Sequence, residues 1–147
     1  MVAVAPPPQD SALARALARV GDRWMLLVVS ALLDGPRRFG DLQEAVGSIA
    51  PNVLSQRLKH LEREGVVVAE AYSVRPPRFA YRLTAGGQEL AGALRLLSQW
   101  GAAGDDGEGV RHPACGTPME ARWWCPTCAR VDGDGDGGPD GDGLTYA

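Results

Sequence analysis

The chain has 147 residues, enough for one domain with its own core plus short appendages and too few for a second domain of similar size. Its 45 % hydrophobic content suits a globular fold, and no apolar run approaches the roughly 20 residues that a membrane helix needs, which argues against a spanning segment. The net charge of −3 divides unevenly: Met1 to Gly104 carries twelve Lys and Arg against nine Asp and Glu, so a mildly basic body, open to phosphate binding, precedes an acidic end.

Met1 to Asp10 has neither a basic start nor a continuous apolar stretch, so no secretion signal is read there and the cytoplasm is the expected location. All three cysteines fall after residue 110, which suits a reducing compartment. Residues 1–9, with Pro6, Pro7 and Pro8, read as a flexible arm, 10–104 as the main domain, 105–130 as a Cys- and His-containing appendage, and 131–147 as an acidic Asp/Gly tail expected to be disordered.

Within the main domain, Asp10 or Ser11 caps a first helix with Leu13, Leu17 and Val20 on one face. Asp22 to Leu33 is apolar nearly all round and predicts a helix buried at the centre, ended by Gly35 and Pro36. Arg37 and Arg38 read as a solvated loop pair, with phosphate contact as a second possibility. A short helix over about Phe39 to Val46, a turn at Gly47 and Ser48, and a longer helix from Pro51 follow, Pro being suited to a first helical turn. After Gly65 the apolar period shortens, and Val66 to Tyr72 and Phe79 to Leu83 predict a hairpin. Ser73, Val74, Arg75, Pro76, Pro77 and Arg78 are expected at its tip as a stiff, basic loop that does not pair tightly. Thr84 caps a last helix in which Leu90, Leu94 and Leu97 share a face, and Trp100 closes the run.

The fold class expected is therefore mainly α with a small β-hairpin (α+β), a winged helix-turn-helix. A helix that enters the major groove needs an apolar stripe opposite a row of hydrogen-bonding side chains. At 100° per residue Leu54, Leu58 and Leu61 cluster on one side of the helix over about 51–64, and Asn52, Gln56, Lys59 and Arg63 on the other. Amides suit adenine edges, Lys suits guanine or phosphate, and Ser55 and Arg57 flank the row where backbone contacts fall. Any surface helix sets polar residues opposite its leucines; the order of elements, with Arg75 and Arg78 on a wing at about 73–78, favours double-stranded DNA as the partner.

The run from Gly21 to Gly101, with GDRW, RFGDL, VLSQRLKHLEREG, YRLTAGGQEL and the closing SQWG in that order, resembles the HxlR-type regulators, relatives of the MarR group. The resemblance implies a winged-helix homodimer, joined through its first and last helices, that represses or activates transcription. Two positions depart from the pattern. Where members often carry an oxidant-sensing cysteine before the first helix, this chain has Ala5 to Pro8, and where a capping Ser usually precedes the recognition helix, it has Ala50.

In the appendage, His112, Cys115, Cys125 and Cys128 form HxxC and CxxC pairs, the donor set of a closed, structural, tetrahedral zinc site. So short a segment has little apolar content of its own, so metal binding would supply its folding energy. A thiol switch of Cys125 and Cys128, making the chain a redox- or metal-responsive regulator, and plain unbound thiols are the alternatives. The tail's Asp132, Asp134, Asp136, Asp140 and Asp142 match a calcium loop poorly, since Gly143 stands where a bidentate Glu belongs. No glycine-rich phosphate loop and no nucleophile paired with a base is present, which argues against an enzyme. A winged protein-interaction module without DNA remains the other class.

Overall fold

A computed structural model describes residues 11–102 and 110–131 of the chain, in two compact units divided between Leu94 and Arg95. The arm over 1–9 and the acidic tail beyond residue 131 lie outside the described residues.

The first unit opens with α1 (Ala12–Val20), whose N-cap Ser11 accepts from the Ala14 N–H at 3.1 Å, and α2 (Arg23–Leu32), capped by the Asp22 carboxylate. In α2, Val28, Val29 and Leu32 are fully buried, so this helix is the centre of the core; Leu27 looks outward, so the helix is not enclosed on every side. Gly35, at φ 133°, breaks the chain before β1 (Arg37–Arg38). Helices α3 (Phe39–Val46) and α4 (Pro51–Arg63) follow, then the strands β2 (Val67–Val74) and β3 (Pro77–Leu83). All three strands form one antiparallel sheet in the order β1, β3, β2.

The core gathers one side of each element: Val20, Met25, Leu42, Ile49, Leu54, Leu58, Leu61, Val66, Val67, Leu83 and Leu94 join the three α2 residues. Leu54, Leu58 and Leu61 recur every three to four residues and are all buried, which fixes the rotation of α4 about its axis. Burial falls along the hairpin from Val67 and Leu83 at its base to an exposed tip, so the wing is anchored at one end only.

Three expectations need correction. Arg37 and Arg38 are not a loop pair: they pair with Tyr81 and Ala80 of β3, and Arg37 donates from Nε to the Ala31 carbonyl at 2.7 Å. The hairpin tip is not open, because Ser73 pairs with Arg78 and Val74 with Pro77, leaving a two-residue loop of Arg75 and Pro76 joined by a cis peptide bond. The last helix is broken into α5 (Ala85–Gln88) and α6 (Ala91–Gly101). At that break Gly87 lies against the Val66 carbonyl, so closely that a Cβ there would collide with it. Thr84 organises the junction: its hydroxyl donates to the Gly65 carbonyl at 2.5 Å and accepts from the Gly87 N–H at 3.1 Å. Leu94 is buried and Leu97 exposed, so the face expected for Leu90, Leu94 and Leu97 is only partly covered.

The second unit contains a bridge between Arg111 and Pro118 and a two-stranded sheet of β4 (Trp124–Cys125) and β5 (Arg130–Val131). Among the described residues no helix is long and apolar enough to cross a membrane.

Candidate nucleic-acid interface

Helix α4 is set by the turn before it. Gly47 takes φ 69° and Ser48 φ 25°, reversing the chain in a left-handed conformation that glycine adopts freely. Ile49 is buried below, and its carbonyl accepts from Gln43 Nε2 at 3.2 Å. At the N-cap Ala50 has no side-chain acceptor, and Pro51, which has no N–H to satisfy, occupies the first turn.

With the leucines turned inward, Asn52, Gln56, Lys59 and Arg63 are all exposed, and Ser55 is half-buried on the flank. The structure therefore brings the four-residue row together on one open face. Arg57 behaves differently. Its guanidinium is committed to Asp22 by two parallel bonds, Nε to Oδ1 at 3.0 Å and Nη2 to Oδ2 at 3.2 Å, so it ties α4 to the start of α2 rather than extending from the helix. Partial burial pushes the Asp22 carboxyl up, but Arg57 and the N–H groups of Met25 and Trp24 outweigh it and leave the pKa below the ordinary value.

The far end of α4 is also held. Arg19 of α1 bonds the Glu64 carboxylate at 2.6 Å and its carbonyl at 2.9 Å, and His60 Nε2 meets the Arg19 carbonyl at 2.9 Å. The Arg19 hydrogen bond first, with nearby positive charge, holds the Glu64 carboxyl below its usual range. Glu62, the acid of α4, is exposed and flanks the row beside Lys59 and Arg63; burial first and then the Glu62 charge push the Tyr81 hydroxyl of β3 up.

Arg75 and Arg78 are exposed at the tip of the hairpin. Arg82 is cross-linked to Glu70 at 2.6 Å, so it belongs to the sheet. Arg38, for which the sequence offers phosphate contact as a second possibility, lies over the Tyr72 ring at 4.6 Å and places a cation between the start of α3 and the wing. Its signal was the paired arginine after Gly35 and Pro36, but nothing local revealed the ring.

In the second unit His112 Nδ1 lies 3.3 Å from Cys115 Sγ, and the Thr127 and Cys128 N–H groups bond the Cys125 sulfur. The expected donors are thus brought together as two pairs; among the described residues no three of them form one group able to hold an ion. Hydrogen bonding with Thr117 lowers the Cys115 thiol's pKa, and hydrogen bonding with Cys128 and then Thr127 lowers that of Cys125.

Three inward leucines, an open amide-and-cation row, a tight turn and a two-stranded wing are the parts of a winged helix-turn-helix. A family model described as HxlR-like helix-turn-helix matches residues 19–107. The chain belongs to the HxlR-like helix-turn-helix family. An HTH-type transcriptional regulator of Mycobacterium tuberculosis is 37 % identical to this HxlR-like chain over 125 residues, covering 82 % of it and 78 % of the relative. The crystal structure of the HTH-type regulator YtcD is 31 % identical, with a TM-score of 0.60, over 63 % of this chain and 95 % of that one. The redox regulator HypR in its oxidized form is 29 % identical, with a TM-score of 0.60, over 64 % and 97 % of the two chains. These relatives of the HxlR-like chain bear the name of transcriptional regulators.

Proposed function

We propose that this chain regulates transcription from the cytoplasm by binding specific duplex DNA as a homodimer, with α4 in the major groove and the β2–β3 wing on the neighbouring backbone or groove. The observation that carries the reading is the rotation of α4: Leu54, Leu58 and Leu61 are locked inward, and Asn52, Gln56, Lys59 and Arg63 form an uncovered row. Asn52 and Gln56 supply paired donors and acceptors for adenine edges, and Lys59 and Arg63 supply charge for guanine or phosphate. Arg75 and Arg78 at the tip serve as phosphate contacts, and Ser55 flanks the row. Arg57 acts indirectly, by fixing the pose of α4 through Asp22.

Dimerisation is supported by apolar side chains that one chain leaves uncovered: Leu13 is 67 % exposed, Leu17 54 % and Trp100 80 %. Two-fold pairing suits two DNA half-sites.

Fluorescence anisotropy on duplexes from the region upstream of the chain's own gene tests the proposal. Lys59→Ala is expected to weaken binding to all sequences and reduce the salt slope by about 1, whereas Gln56→Ala changes the preferred sequence. If both variants bind every duplex as the parent does, α4 is not the reading element.

A further inference from the structure

The second unit contains the same turn twice. Residues 112–117 read HPACGT and residues 125–130 read CPTCAR: a donor, a proline, a small residue, a cysteine, and then a residue in the left-handed region, Gly116 at φ 70° and Ala129 at φ 51°. Alanine takes that conformation at a steric disadvantage, so the turn geometry prevails over the residue's own preference.

Each turn closes a hairpin. In the first, the His112 N–H donates to the Thr117 carbonyl at 2.9 Å and the Gly116 N–H to the His112 carbonyl at 2.8 Å, inside the Arg111–Pro118 bridge. In the second, Trp124 pairs with Val131 and Cys125 with Arg130. Each turn also brings its two donors together. His112 Nδ1 and Cys115 Sγ are 3.3 Å apart, close to the edge of about 3.5 Å that zinc–nitrogen and zinc–sulfur bonds of about 2.0 and 2.3 Å give in a tetrahedron. In the other turn the Thr127 and Cys128 N–H groups point at the Cys125 sulfur, the arrangement that stabilises a bound thiolate.

Apolar packing does not hold these hairpins. Every residue from Arg111 to Ala129 is exposed, Met119, Trp123 and Trp124 included. Two well-formed turns in some twenty residues without a core need another source of cohesion.

We propose that one zinc ion joins the two hairpins, held by His112 through Nδ1 and by the sulfurs of Cys115, Cys125 and Cys128. Three thiolates and one neutral imidazole fill a tetrahedral ion, so the site is closed and structural, and the cysteines lose their protons to solvent as the ion binds. Because the donors stand as two pairs, binding draws one hairpin onto the other. The site is independent of the DNA-reading face, and its failure would leave that proposal intact.

The full chain, purified with its thiols reduced, is assayed for metal by atomic emission, and its cobalt(II) form by visible absorption. The expected result is about one zinc per chain, tetrahedral cobalt bands and a sulfur-to-cobalt charge-transfer band. Cys115→Ser and Cys125→Ser, one from each hairpin, should each lose the ion, while His112→Cys keeps it with stronger charge-transfer absorption. Circular dichroism of the variants should retain the helical signal of the first unit, so that loss of metal is not global unfolding. An absence of zinc in the reduced parent, an unchanged metal content in Cys115→Ser, or one ion per two chains would each overturn the proposal.

Discussion

The guanidinium of Arg57 closes on the carboxylate of Asp22, 35 residues earlier in the chain, with both oxygens engaged at 3.0 and 3.2 Å. Asp22 at the same time accepts from the Trp24 N–H at 3.0 Å and the Met25 N–H at 3.3 Å, so one carboxylate caps α2 and fastens α4. Asp22→Ala is expected to lower stability by about 1–2 kcal/mol, combining a lost cap with a lost, half-exposed ion pair. Urea unfolding of the two proteins gives the difference, and a loss confined to a few tenths of a kcal/mol would show that neither the cap nor the pair adds appreciably.

The acid side of the stability profile follows from the same contact. The folded Asp22 carboxyl titrates below its ordinary value of 3.8, so its contribution is complete above that value and disappears as the pH falls through the lower, folded one. Between the two, the unfolded chain takes up more protons, and stability drops with pH. Asp22→Asn keeps a capping oxygen but cannot titrate, so its stability should fall less steeply than the parent's below about pH 4. Parallel curves for the two proteins would assign the acid sensitivity to other carboxylates.

Two glycines near the last helix should respond oppositely to alanine. At Gly87 the new methyl meets the Val66 carbonyl and comes within 3.2 Å of the Leu83 side chain, at the base of the wing, and a loss of about 1–3 kcal/mol is expected. At Gly92, inside α6, nothing lies within 4 Å, and Gly92→Ala should gain about 0.5–1 kcal/mol by restricting the unfolded chain. Thermal unfolding distinguishes the two; a tolerated alanine at position 87 would mean that the backbone approach there relaxes freely.

Leu17 is more than half exposed on α1, so a charge there disturbs little within one chain. Leu17→Glu is expected to leave the fold intact and to shift the species in sedimentation from twice the 15.5 kDa chain mass to the chain mass itself, with weaker DNA binding in parallel. A variant that still sediments as the parent does would place the interface elsewhere.

The helices and the wing were legible because their apolar periods are long and local: nine to thirteen residues of repeating pattern in α1, α2 and α4, then alternation down to Leu83. What escaped was non-local. Two residues cannot display a period, so β1 appeared only as a partner of Tyr81 and Ala80. The break after Gln88 reflects the close approach of Gly87 to a carbonyl more than twenty residues earlier, and the sequence displays only the glycines. Arg57 sits on the flank of a helical wheel, where nothing distinguishes an outward cation from one claimed by another helix. In the appendage the donor spacing was plain, but the matching left-handed residues at 116 and 129 were not, since alanine at 129 gives no sign of such a turn.

The clasp of Arg19 on Glu64, reinforced by His60, joins the end of α4 to the last turn of α1. If the proposed dimer pairs through the exposed leucines of α1, this clasp acts as a gauge between the dimer contact and each reading helix. One base pair added to an operator's spacer rotates a half-site by about a tenth of a turn. A gauge held at both ends resists that rotation, so a dimer built this way would discriminate among operators by their spacing as well as by their letters.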